Sequence, residues 1–460
     1  MFFHQFYLGC LSHASYLIGD EKTGTAIVVD PQRDTEQYVT MAAKQGLRIE
    51  HVFLTHFHAD FLAGHLELRD KFGAQLYVGH RGNTEYEVTP LRQGDRFEWG
   101  DIAIEVRETP GHTPESVCLL VFDDVTPGAD PYGVLTGDTL FIGDVGRPDL
   151  FGSVGTTANE LAALLYESLH TQLMPLPDET RVYPAHGAGS MCGKNLSTET
   201  SSTIGAQRHT NVALKAGSVE EFVALVTADQ PEAPAYFSID AMLNQKERPT
   251  LEGQIERALH GYPIDDFLKR AEGGQILDVR DDETFAAAHL PGSINIGLDG
   301  RFATWCGSVL DPEKPIWGIA PTGREREAIL RLGRIGFDHA AGYLENAEAV
   351  LATAETRSFD RFSPESLAGE SVMRVDVRQP GEFAAGHLEQ STSMPLAQVL
   401  RRIDELPRET PIAFICKTGY RSATAISLLE REGFTNLIDL HGGVDRWLAE
   451  GRGLTAGATP

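Results

Sequence analysis

The stretch Thr55-His56-Phe57-His58-Ala59-Asp60-Phe61 limits what this chain can fold into more than any other. It follows Val52-Phe53-Leu54, an apolar run that fits a buried strand, and precedes a helix-like stretch over residues 62–72. Two imidazoles and a carboxylate at alternate positions past a strand end can converge on one point. A divalent cation needs that convergence, because its nitrogen and oxygen ligands must displace water together. The alternative is a polar loop with two surface histidines.

Residues further along the chain favour convergence. Strand-like runs cover 15–18, 25–29, 75–78 and 102–107, and a helix-like segment covers 35–45 with Gly46 suited to its stop. Thr109-Pro110-Gly111-His112-Thr113 comes after the fourth of these strands. Gly137-Asp138-Thr139 comes after the apolar run 133–136, and Ala185-His186-Gly187 after Arg181-Val182-Tyr183-Pro184. Glycine or proline beside each ligand-type residue lets the backbone turn sharply toward a site. Strands interleaved with helices predict a layered α/β domain.

At 460 residues, two to three domains are expected. With 39 Lys and Arg against 66 Asp and Glu, the formal charge is −27. That charge argues against nucleic acid and anionic membrane surfaces as partners. No run has the length of a membrane span. The N-terminal residues lack a basic n-region and fit a first strand. Cys10, Cys118, Cys192, Cys306 and Cys416 are scattered without a disulfide framework, so a reducing cytoplasm is expected. Cys10 and Cys118 fall in strand-like runs and read as packing residues, and His4, His13 and His51 read as ordinary histidines.

These motifs resemble the metallo-β-lactamase superfamily over the whole first domain, residues 1–245. His56-x-His58-x-Asp60, His112, Asp138 and His186 match its ligand-bearing motifs in order. One position departs: the superfamily usually has His directly after the Asp of the first motif, and this chain has Phe61. Phenylalanine offers no lone pair, so a single metal is expected. A site of His56, His112 and Asp138 would be a two-histidine, one-carboxylate face with open positions, as in non-haem Fe(II) oxygenases. It resembles the persulfide dioxygenase branch, as do Asp138-Thr139-Leu140-Phe141, Gly146-Arg147-Pro148-Asp149-Leu150 and Cys192-Gly193-Lys194-Asn195-Leu196-Ser197. By that resemblance His58, Asp60 and His186 orient ligands or water; the alternative for His58 and His186 is plain interior hydrogen bonding. Cys192 is a candidate sulfur relay, with Lys194 nearby to favour a thiolate, or else an inert small side chain.

Charged residues 247–261, with Pro249, read as a linker. The chain then repeats itself. Ile276-Leu277-Asp278-Val279-Arg280 returns as Arg374-Val375-Asp376-Val377-Arg378, and His289-Leu290 returns as His387-Leu388, eleven residues after the Asp in both copies. In the second copy, residues 360–456, a strand over 411–415 ends in Cys416-Lys417-Thr418-Gly419-Tyr420-Arg421, and a helix-like run over 422–431 comes next. Backbone N–H groups at that helix start can stabilise a thiolate and then a persulfide on Cys416, and Arg421 can hold an oxyanion such as sulfite. With Gly442-Gly443-x-x-x-Trp447, this copy resembles a rhodanese domain, and Lys417, Thr418, Gly419 and Tyr420 are its persulfide loop. The first copy, residues 262–352, carries Ala320 where the second has Cys416, so it is expected to be silent, a spacer or an oligomer contact; Cys306 lies off the loop.

The fold expected is α/β: a metallo-β-lactamase αββα sandwich followed by two rhodanese-like α/β domains. The whole resembles persulfide dioxygenase–rhodanese fusions of the CstB type. The resemblance implies one Fe(II) per chain, O2 and a low-molecular-weight thiol persulfide such as glutathione persulfide as substrates, sulfite as product, and thiosulfate formed or consumed at Cys416, in sulfide detoxification. A homo-oligomer is expected. The alternatives are a two-zinc thioester hydrolase of the glyoxalase II kind and a sulfur-carrier scaffold with a vestigial metal site.

Overall fold

The computed structural model describes residues 1–150, 156–228, 230 and 233–457. Met1–Glu252 with Gly333–Gly336 forms one compact unit, and Gly253–Leu332 with Phe337–Pro460 the other.

The first unit has two six-stranded sheets. One runs in the order Phe2–Leu8, His13–Asp20, Thr25–Val29, Arg48–Phe53, Gln75–Gly79, Thr89–Leu91. The other runs Ser202–Thr203, Arg181–Pro184, Gly133–Gly137, Val117–Phe122, Ile102–Glu108, Arg96–Trp99. Alternation along the strands gives each sheet two apolar faces. Tyr16, Ile18, Ile27, Val29 and Phe53 meet Ile104, Val106, Leu119 and Leu135 between the sheets. Leu17, Val28 and Val52 pack outward against Tyr38 and Ala42 of helix Glu36–Lys44 and Leu66 and Leu68 of helix His65–Phe72. On the far side Cys118, Leu120 and Val134 pack against Leu165 and Phe222 of helices Ala158–Ser168 and Val219–Thr227. This is an αββα sandwich.

Two local expectations need correction. The helix after the histidine motif begins at His65, not at 62, because Ala63 and Gly64 hold the loop: Ala63 bridges Gln32, and Gly64 N–H donates to Pro31 O. The stretch 247–261 holds the passage from one unit to the other, but it is folded rather than open chain. Helix Leu251–Ala258 occupies its centre, and Arg248 is buried against Glu67 at 2.7 Å.

The second unit has two parallel five-stranded sheets of identical order. In the first copy this is Gly261–Tyr262, Ala340–Leu344, Ile316–Ile319, Gln275–Asp278, Ile294–Asn295; in the second, Asp360–Phe362, Leu437–Leu440, Ile412–Ile415, Met373–Asp376, Ser391–Ser393. The repeated Asp-Val-Arg is a buried ion pair in each. Arg280 grips Asp278 and Ala288 O, and Arg378 grips Asp376 and Gly386 O, with the shortest Arg–Asp contact 2.6 Å in both. Each repeated histidine bonds the helix before it, His289 to Phe285 O and His387 to Phe383 O. The motif residues that repeat are therefore framework.

Candidate metal centre and sulfur-transfer loop

His56, His112, Asp138 and His186 all lie just past strand ends of the first unit, and all are buried. Ligand atoms of His56, His112 and Asp138 lie within 4.8 Å of one another. His56 Nε2 is 3.7 Å and His112 Nε2 3.5 Å from Asp138 Oδ2.

The far side of each ring fixes its tautomer. His112 Nδ1–H donates to Arg147 O at 2.8 Å. Thr55 Oγ1 gives its proton to Asp30 Oδ2 at 2.8 Å, so at 3.0 Å it accepts from His56 Nδ1–H. Both Nε2 atoms thus turn lone pairs toward Asp138. Burial, together with His58 for His56, keeps both histidines below the ordinary value, hence neutral and fit to ligate. His56 Nε2 and Asp138 Oδ2 have no hydrogen-bond partner, which in a buried site is costly unless a cation takes them. The donor set fits one metal ion.

Ligand atoms of His58, Asp60 and His186 also lie within 4.8 Å of one another. His186, however, stands between two carboxylates, its Nδ1 2.8 Å from Asp138 Oδ1 and its Nε2 3.0 Å from Asp60 Oδ2. Burial opposes its charge, but Asp138 and Asp60 outweigh burial and hold its pKa well above the ordinary value. His58 Nε2 is 3.2 Å from Asp30 Oδ1. The Phe61 ring is buried against His58, with centroids 4.4 Å apart.

Three contributors were invisible in the sequence. His13 is not an ordinary histidine. It is fully buried, its ring lies 4.1 Å from Phe61 and 5.5 Å from both His58 and His186, and neither ring nitrogen is bonded. A backbone bridge between His13 and His186 brings it there. Asp30 serves Thr55 and His58 together. Asn244 donates to His58 O at 2.8 Å and Phe61 O at 2.9 Å, and accepts from Ala63 N–H at 2.9 Å. Only the general excess of Asp and Asn at turns pointed to the last two.

Cys192 lies beside Asp138 and His186. Of its two readings the thiolate is the disfavoured one: burial, then Asp60 and Asp138, push its pKa well above the ordinary value. Lys194 points instead to the carbonyls of Leu225 and Ala228. Cys118 is buried in its strand, whereas Cys10 sits in a turn and is only half-buried.

In the second unit Cys416 comes directly after strand Ile412–Ile415, and Gly419 N–H donates to its Sγ at 3.1 Å. Lys417 and Thr418 are exposed and Tyr420 half-buried. Gly442 and Gly443 start the next helix with positive φ, and a Cβ at Gly443 would come 2.5 Å from Cys416 O, so glycine is required for helix and loop to meet. Arg421 is already paired: Glu382 takes its guanidinium at 2.6 and 2.9 Å. Ala320 comes after strand Ile316–Ile319 at the place of Cys416, buried and without a thiol.

A model described as the metallo-beta-lactamase superfamily matches residues 8–186, and one described as a rhodanese-like domain matches 264–346 and 365–450. The mitochondrial persulfide dioxygenase ETHE1 of Bos taurus is 31% identical over 214 residues, 46% of this chain and 75% of that protein. The chain belongs to the persulfide dioxygenase family. This family member carries two C-terminal rhodanese-like domains as a fusion. A crystal structure of a metallo-beta-lactamase from Staphylococcus aureus, 34% identical, covers 74% of this chain and 98% of its own with a TM-score of 0.66. A hydroxyacylglutathione hydrolase of Rhizobium etli is 33% identical over 174 residues, 37% of this chain and 60% of that protein.

Proposed function

We propose that this chain oxidises a low-molecular-weight thiol persulfide, glutathione persulfide or a relative, to sulfite with O2, and that Cys416 joins sulfane sulfur to sulfite as thiosulfate or runs that transfer in reverse. His56, His112 and Asp138 would hold one Fe(II), which supplies O2 activation when bound. The observation that carries the reading is the pair of neutral imidazoles and one carboxylate converging beside the Phe61 ring.

The protein's own groups do the rest. Thr55 with Asp30, and the Arg147 carbonyl, fix the faces of His56 and His112. His186, held between Asp138 and Asp60, keeps Asp138 oriented and can supply a proton near the substrate. Cys192, as a thiol beside Asp138, would contact a sulfur substrate bound there. In the second unit the Gly419 N–H steadies negative charge on Cys416 or its persulfide. Lys417, exposed on the loop, would meet an incoming oxyanion, with Arg421 paired to Glu382. Fusion raises the local concentration of sulfite at its acceptor. A reducing cytoplasm suits the five free cysteines, and a homo-oligomer is part of the same reading.

A two-metal thioester hydrolase is the second reading, favoured by the His58, Asp60 and His186 trio and by the hydrolase relative. Phe61, and the ion-pair contacts of His186 with Asp138 and Asp60, weigh against it.

The test separates the two steps. Cys416→Ser should abolish thiosulfate formation from glutathione persulfide and sulfite while sulfite formation with O2 continues. His112→Ala should do the opposite. Loss of both activities in either variant would contradict the division of labour.

A further inference from the structure

The Cys416 thiol begins a chain of polar contacts that runs into the silent copy. Ser422 Oγ lies 3.4 Å from Cys416 Sγ. It is 2.5 Å from Asp439 Oδ1 and 2.9 Å from Gly419 O. Asp439 Oδ2 accepts from Arg361 Nε at 2.8 Å, and Arg361 Nη2 donates to Asp282 Oδ2 at 2.6 Å. Asp282 belongs to the copy that lacks a cysteine. Cys416, Ser422 and Asp439 are all buried. The loop rests on this ion pair: a Cβ at Gly419 would come 2.6 Å from Asp282 Oδ2 and 2.7 Å from Arg361 Nη2.

A hydroxyl has one proton and two lone pairs. With Asp439 ionised, Ser422 gives its proton to the carboxylate and accepts from the Cys416 S–H. With Asp439 protonated, the carboxyl donates to Ser422, whose own proton turns to Gly419 O. Both acceptors are within reach, so a proton can pass from thiol to carboxyl without any heavy atom moving.

We propose that Ser422 and Asp439 are a proton relay for Cys416, and that the silent copy sets its poise through Asp282 and Arg361. This rests on the sulfur-transfer reading of Cys416. When a persulfide R–S–SH arrives, the thiol proton passes to Ser422 and that of Ser422 to Asp439. Cys416 sulfur attacks the outer sulfur of the persulfide. One S–S bond forms, the old one breaks, and its electron pair leaves on R–S⁻. The proton held on Asp439 is then released to solvent, and the leaving thiolate takes one from solvent. The sum is Cys416–SH + R–S–SH → Cys416–S–SH + R–SH, in which Cys416 is oxidised and the donor reduced. Ser422, in contact with the reacting sulfur, is a catalytic residue; Asp439, Arg361 and Asp282 are positioning residues.

The surroundings of Asp439 support the role. Burial pushes its pKa up to about 6, against Ser422 and Arg361 and with Asp282 adding to the rise. Of the flanking strands, one sets Arg361 opposite it and the other Phe414. Helix Asp282–Ala287 contributes Asp282, and helix Tyr420–Arg431 contributes Ser422, with Arg421 held by Glu382. Helix Gly443–Ala449 turns Arg446 to His441 and Glu450.

The experiment uses the full chain and two readouts across pH: kcat/KM for sulfur transfer from glutathione persulfide to sulfite, and the rate of iodoacetamide alkylation of Cys416 followed by mass spectrometry. In the wild type both rise through an inflection near about pH 6, because only the ionised carboxylate accepts the proton. Asp439→Asn and Ser422→Ala should remove that inflection and slow transfer by at least about tenfold. Asp282→Asn, at a half-buried site, should move the inflection to lower pH, since Arg361 then serves Asp439 alone. It decides the matter if the buried variants fail to fold. An unchanged inflection in Asp439→Asn overturns the relay, and an unmoved one in Asp282→Asn overturns the role of the silent copy. Alkylation profiles that shift as stated, in a protein that transfers no sulfur, would uphold the relay and reject the sulfur-transfer reading.

Discussion

The ring of Phe61 lies 4.1 Å from the ring of His13, and both are buried beside the His58, Asp60 and His186 trio. An apolar side chain thus takes the place in the motif where a further ligand would stand. Phe61→His should allow a second ion to bind. Metal analysis after loading should then rise from one toward two per chain, with O2 uptake falling. A stoichiometry unchanged from the wild type would mean that His186 and not Phe61 limits occupancy.

Asn244 ties the histidine loop to the helix Tyr236–Leu243 that precedes it. Asn244→Ala loses three buried hydrogen bonds at about 1 kcal/mol each and leaves the carbonyls of His58 and Phe61 and the Ala63 N–H without that partner. We expect a lower melting temperature and weaker metal retention against a chelator. Asn244→Asp should fare no better, because a carboxylate cannot donate to the two carbonyls.

Glu67 illustrates the pH dependence. Burial alone would raise its pKa, but Arg248 and Arg33 outweigh it and hold it below the ordinary 4.5. A carboxyl depressed by folding contributes stability that is present above 4.5 and lost as pH falls through the lower folded value. Glu67→Gln should cost about 3–5 kcal/mol near neutral pH. The difference from the wild type should shrink on acidification, as denaturant melts at several pH values would show.

Glu382 occupies Arg421, so the arginine does not face sulfite as a free charge. Glu382→Gln should weaken that hold and lower KM for sulfite or thiosulfate by about threefold to tenfold, given about 1 kcal/mol for a released pair of this exposure. A raised KM would show instead that Glu382 positions Arg421 productively.

The parts legible in the sequence were those that local chemistry encodes. Apolar runs ending in glycine-flanked His or Asp marked the strand ends of the first unit. The spacing from Asp278 to His289 and from Asp376 to His387 marked two copies of one fold. Residues whose role depends on distant partners stayed hidden. Asn244 reaches a loop 186 residues earlier in the chain, and His13 meets His186 across a strand bridge. Proximity in sequence also misled: Lys194 is two residues from Cys192, yet its amine turns to a different helix end while two carboxylates face the thiol.

Anaerobic iron quantification followed by oxygen uptake with glutathione persulfide tests the central claim most directly. We expect a single iron per chain held through His56, His112 and Asp138, with O2 consumed in step with sulfite formed. Two tightly held zinc ions and no oxygen uptake would contradict it.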